Sequence, residues 1–120
     1  MNKEILCASC APKPVAPYSQ MIGYGDLIFI SGQVAEEARG DPAEQTRIIL
    51  DRIGGMLAEV GSSSEKIIKC MIHLSDAKHF AAMNQAYAAF FQTAFPARIC
   101  TSGVQLWGGL EVEIEAIAGR

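Results

Sequence analysis

Apolar residues recur along this chain at two different periods, and the switches between those periods divide it into elements. From Leu27 the run LIFISGQVA sets Leu27, Phe29 and Ser31 against Ile28, Ile30 and Gly32. A β-rich stretch this continuously apolar predicts a strand buried on both faces. Residues 18–22 predict a partner strand, and GYGD at 23–26 supplies the turn between them, so the two form a hairpin. Residues 1–13, with Pro12 inside the segment and Pro14 and Pro17 after it, read as an extended N-terminal segment.

Helical periods follow. Asp41 is placed to cap orphan N–H groups, Pro42 suits the first helical position, and Glu44 has capping-box spacing. Ile49, Ile53, Met56 and Val60 form one apolar stripe, and Gly61 predicts a left-handed stop. Gly54 and Gly55 inside this helix each cost roughly 1 kcal/mol against alanine, so close packing is expected there. Residues 67–74, IIKCMIHL, read as a strand with Ile68, Cys70, Ile72 and Leu74 on one face and Lys69, Met71 and His73 on the other. A second helix starts from Asp76, carries Phe80, Met83, Tyr87 and Phe90 at helical spacing, and cannot continue through Pro96. Two strands close the chain, ARICT from Ala97 and LEVEIEAIA from Leu110.

The order β-β-α-β-α-β-β predicts an α+β fold in which two helices cover one face of a mixed sheet. Met71 and the strand around Ile30 make the other face partly apolar, which predicts association with copies of the same chain. With 120 residues, 1–120 reads as one domain with one core.

Composition narrows the function classes. The formal net charge is -3 and the basic residues are scattered, so no phosphate-tracking stripe points to nucleic acid. No segment approaches the roughly 20 apolar residues of a membrane span, and the N-terminus lacks an apolar signal core. Cytoplasmic residence is therefore expected, with Cys7, Cys10, Cys70 and Cys100 as thiols. Cys7 and Cys10 form a C-x-x-C, but a zinc site wants a second ligand pair and a redox motif wants a helix behind it; Pro12 and Pro14 oppose that helix.

Chemistry concentrates at the C-terminal end. Arg98 and Cys100 share a strand face, as do Glu111, Glu113 and Glu115. If these two strands pair, a carboxylate lies near the arginine. Arg98 offers a permanent planar fork for a carboxylate ligand, and a glutamate beside it could activate water. Alternating glutamates are, however, more commonly a solvated face. Neither His73 nor His79 is placed to activate Cys100, and Cys70 reads as a plain buried thiol.

The wording of the sequence adds a further reading. PVAPYSQ, LIFISGQVA, FAAMNQAYAAFF and FPARIC followed by VEIEAIA occur in an order that resembles the Rid family, also called YjgF, from about Pro14 to Ala118. The resemblance implies a chorismate-mutase-like fold, a homotrimer with pockets between subunits, and no cofactor. It implies hydrolysis of 2-imino and enamine acids, released by pyridoxal-phosphate enzymes, to 2-keto acids and ammonia. By resemblance Arg98 clamps the substrate carboxylate, the Cys100 main-chain N–H assists, and Glu113 activates water. Tyr18, Ser31 and Gly32 match pocket positions, and Asn84 matches a position at the pocket rim. Arg98 and the iminium should hold Glu113 ionised.

Three loops depart from the family pattern: the connection after Gln33, the stretch before FPARIC, and LWGG, which replaces a Leu-Pro turn and leaves Trp107 near the pocket mouth. They leave the substrate open. Alternatives are a 2-aminomuconate-type deaminase, a non-catalytic small-carboxylate sensor, and an RNA-cleaving member, which the net acidity disfavours.

Overall fold

A computed structural model describes residues 1–120. Its strands are β1 (Glu4–Leu6), β2 (Met21–Tyr24), β3 (Leu27–Gln33), β4 (Ile67–Leu74), β5 (Ala97–Ser102) and β6 (Val112–Gly119); its helices are α1 (Pro42–Glu59) and α2 (Phe80–Phe91). The six strands make one sheet in the order β1-β2-β3-β6-β4-β5. Only β4 and β5 run parallel, and α2 supplies the crossover that a parallel pair requires. The mixed sheet with two helices on one face is the architecture the hydrophobic periods predict.

The N-terminal segment is more structured than its prolines suggest. β1 adds to the sheet edge beside β2. The buried Gln20 side chain accepts from Ala8 N–H (2.7 Å) and donates to Pro12 O (2.9 Å). Further along, the Glu59 carboxylate receives the N–H groups of Ser9 (2.7 Å) and Cys10 (3.0 Å). These bonds hold the Glu59 pKa down to about 2. Cys10 Sγ then lies against Gly55, where a Cβ would stand only 3.2 Å from it, which accounts for one of the helix glycines.

α1 begins as expected, with Asp41 accepting from Glu44 N–H (3.1 Å), but the capping box is only half formed. The Glu44 carboxylate turns to Arg47, and Asp41 N–H bonds to Ala38 O. Gly61 adopts the left-handed stop (φ 85°). Asp76 caps a single 3-10 turn, Ala77–His79, so α2 starts one turn later than its cap signal suggests. It also ends early, where Gln92 takes positive φ (66°) ahead of Pro96.

The core lies between the sheet and the helices. Ile28, Ile30, Cys70, Ile72, Leu74, Val112 and Ile114 meet Ile49, Ile53, Met56 and Met83 there, all buried. Full burial of such side chains stabilises by roughly 1.5–3 kcal/mol each. No helix is long and apolar enough to cross a membrane.

Two expectations about strand faces are corrected. β3 is buried on one face only: Ile28 and Ile30 point to the helices, while Leu27 and Phe29 (41% exposed) stand on the uncovered face. The apolar character of that face therefore comes from Phe29 and not from Ile30. In β4, Ile67 takes the core position expected for Ile68, which is exposed. An extra residue between Ile67 and Lys69 shifts the register against β6 and turns Ile68 outward.

Candidate functional site

β3 also carries an extra residue. Ile30 pairs with Ala116 and Gln33 with Ile114, three steps on β3 against two on β6. The irregularity falls on Ser31 and Gly32, and bulges of this kind re-aim side chains. Ser31 Oγ donates to Ser19 O (2.6 Å) and Ser31 N–H to Gln20 O (3.0 Å), pinning the PYSQ segment beside the bulge.

A cavity of about 790 Å³ opens there. Tyr18, Ser31, Gly32 and Glu113 line it together, joined by Arg52 and Trp107. Gly32 lies so close to Glu113 that a Cβ would overlap the carboxylate oxygen. Glu113 is partly buried, and that burial raises its pKa; the charge on His73 opposes the shift and that on Glu115 adds to it. Four of the seven expected site residues thus converge around one perturbed acid.

The other three gather elsewhere. Arg98 Nη1 donates to Asn84 Oδ1 (2.7 Å). The guanidinium carbon sits 4.9 Å from the Tyr87 ring centroid and 5.7 Å from that of Phe80. α2 therefore presents the arginine on an aromatic platform while one hydrogen bond fixes its orientation. Cys100 lies on the same strand face; burial raises its thiol pKa, so it is a poor nucleophile.

The last two strands do not pair, because β4 lies between β5 and β6, so the condition for a carboxylate beside Arg98 is not met within the chain. Arg98 pairs with the core-facing Cys70, whereas Glu113 pairs with His73 on the uncovered face. Arginine and acid thus occupy opposite faces of one sheet. Arg98 is accordingly not among the groups of its own chain acting on Glu113, and within the chain burial raises the pKa of this carboxyl.

Nor do the three glutamates act as one row. Glu111 precedes β6 and accepts from Gln45 Nε2 (2.6 Å) and Gly40 N–H (3.0 Å), which lowers its pKa. Glu115 meets His73 Nε2 (3.2 Å), whose other ring nitrogen faces Thr101 Oγ1 (2.9 Å). Arg52 was not foreseen as a cavity residue. It bonds Val34 O (2.6 Å) and Glu37 (3.2 Å), and no motif marks it because it sits beside the apolar stripe of α1.

Fold and cavity together define a small α+β protein that presents a recessed acid, its pKa raised by burial, beside a strand bulge. The chain belongs to the Rid (YjgF) family: residues 8–119 match the family described as Endoribonuclease L-PSP. A RutC family protein of Pyrococcus abyssi is 37% identical over 98% of both chains. A Rid-family protein from Yersinia pestis superposes with a TM-score of 0.92 at 32% identity, covering 99% of this chain and 100% of that one. The Escherichia coli protein TdcF, named as a candidate reactive intermediate deaminase, is 32% identical. Its crystal structure with bound serine gives a TM-score of 0.89 over 98% of both chains.

Proposed function

We propose that this protein hydrolyses 2-imino and enamine acids to 2-keto acids and ammonia, in a cleft completed by a neighbouring copy of the chain. The observation that carries this reading is Glu113, an acid with a raised pKa, set against Gly32 in a cavity that also holds Tyr18 and Ser31. The arginine needed for a substrate carboxylate is unreachable from that cavity within one chain. A cyclic trimer would bring the Arg98, Asn84 and Cys100 of one subunit to the Glu113 cavity of the next, by a head-to-tail contact that closes into a ring. Phe29, Leu27 and Ile99, exposed on the uncovered sheet face, favour such cover. The serine held in the crystal of TdcF supports a small carboxylate-bearing ligand.

The chemistry asks little of the protein. The carbon of a protonated imine is already electrophilic, so positioning supplies the gain. Arg98 holds the carboxylate through parallel N–H donors. As the water oxygen bonds to carbon, the C=N π electrons move to nitrogen and Glu113 takes the proton of the water. Glu113 then returns that proton to nitrogen. The C–N bond breaks as the remaining hydroxyl forms the carbonyl and releases its proton, giving keto acid and ammonium. A carboxyl whose pKa is raised by burial suits this two-way transfer. No cofactor takes part in this scheme. The four free cysteines fit work in the reducing cytoplasm.

The test couples an amino-acid oxidase to semicarbazide trapping and follows loss of imine. Arg98→Ala should abolish the acceleration; imine decay as fast as with the wild-type protein would sink the reading. Glu113→Gln should lower kcat on the order of 10²-fold or more while leaving carboxylate binding intact. A sensor without activity would show binding but no turnover even in the wild type. RNA cleavage that survives purification and disappears in Glu113→Gln would favour the reading that the family description raises instead.

A further inference from the structure

Trp107 is the chain's only tryptophan and is 64% exposed, yet its surroundings are built rather than loose. It opens a 3-10 turn, Trp107–Gly109, flanked by the buried Leu106 and Leu110. Gly109 N–H bonds to Leu106 O (3.1 Å) and Leu110 N–H to Trp107 O (3.3 Å). Arg39 donates to Gly108 O, crossing from the connection between β3 and α1. Gly108 and Gly109 both have positive φ (64° and 69°), a conformation in which a side chain would be strained. The turn is thus fixed on both sides, and it leaves an indole unburied where burial would stabilise.

That indole lines the same cavity as Glu113, together with Tyr18 and the strongly exposed Val15. Glu113 lies against Gly32 of β3, whereas Trp107 stands on the turn before β6, so acid and indole belong to different parts of the cavity wall. The part of the cleft that this chain supplies, about 790 Å³, is large beside a three-carbon imino acid. We infer that Trp107 is a specificity-determining residue that stacks on the side chain of the bound acid, so that the site prefers 2-imino acids bearing an aromatic group. The inference rests on the imino-acid reading of the cavity and adds the class of side chain. Aromatic pairs contribute about 0.5–1.5 kcal/mol beyond the area they bury, and the burial adds to it. Together they give a preference of roughly tenfold or more over a methyl group.

The single tryptophan makes the contact directly readable. Titration of the wild-type protein with L-3-phenyllactate, excited at the red edge of indole absorption, should shift the Trp107 emission to the blue and saturate. Lactate should bind at least roughly tenfold more weakly with no shift. By calorimetry, Trp107→Ala should bind phenyllactate and lactate about equally, with lactate affinity unchanged, and Trp107→Phe should restore most of the difference. In kinetics, Trp107→Ala should raise KM for the imine of phenylalanine and not for that of alanine. Equal affinities in the wild type, no spectral response, or binding of neither acid would each overturn the inference. If the binding preference appears while no imine is hydrolysed, the deaminase reading fails alone and Trp107 keeps its assigned role.

Discussion

Gly32 leaves no space between its backbone and the Glu113 carboxylate, so the acid can stay only while position 32 lacks a side chain. Gly32→Ala should displace the carboxylate and lower kcat by roughly tenfold or more, with a near-native circular dichroism spectrum; unaltered turnover would refute this dependence. Glu113 itself opposes stability at neutral pH. Its folded pKa lies above the unfolded one, so its favourable contribution is complete below the ordinary 4.5 and is lost as pH rises through the raised value. Glu113→Gln should therefore unfold at a higher temperature than wild type near pH 7, and the gain should vanish in acid. A thermal scan at both pH values reads the sign. Turnover should fall with acidity as Glu113 takes up a proton, because the water must lose its proton to the ionised form.

At the scale of elements, α2 does more than cover the sheet. Asn84, Tyr87 and Phe80 lie on it at spacings of three and four residues, so all three face the strand that carries Arg98. Asn84→Ala should raise KM for an imino acid several-fold with little change in kcat, as expected for losing one charge-assisted hydrogen bond. A kcat effect without a KM effect would place Asn84 in the chemistry instead. The periods of apolar residues made the helices, the β4 strand and the two-layer plan legible, because burial on one side imposes them. β1 escaped notice since its hold on the sheet comes from a partner distant in sequence. The early stop at Gln92 carries no glycine to announce it. The two extra residues, at Ile68 and in the Ser31–Gly32 step, also resisted reading: a bulge is a relation between two strands, and alternation within one strand cannot display it. For the same reason the site residues were nameable by type, while their division into two groups was not. That division depends on β4 lying between β5 and β6.

For the whole molecule, opposite-face placement makes a prediction that no single chain can satisfy. If each cleft draws Glu113 from one copy and Arg98 from the next, two dead variants should rescue each other. Arg98→Ala and Glu113→Gln chains, unfolded and refolded together in equal amounts, should regain roughly a quarter of wild-type activity by random assortment around the ring. Absence of any rescue, with mixed oligomers verified by mass spectrometry, would return both groups to one chain. Placing a charge on the uncovered face, as in Phe29→Asp, should reduce sedimentation to that of a single chain and silence turnover together.

If each cleft is shared between copies, the sheet that separates the arginine from the acid would also tie catalysis to abundance. A chain without neighbours would keep its core, its helices and its cavity, and yet hold only half of what the proposed reaction needs. Specific activity should accordingly decline on dilution while the fold persists, so the protein's own concentration would act as its switch.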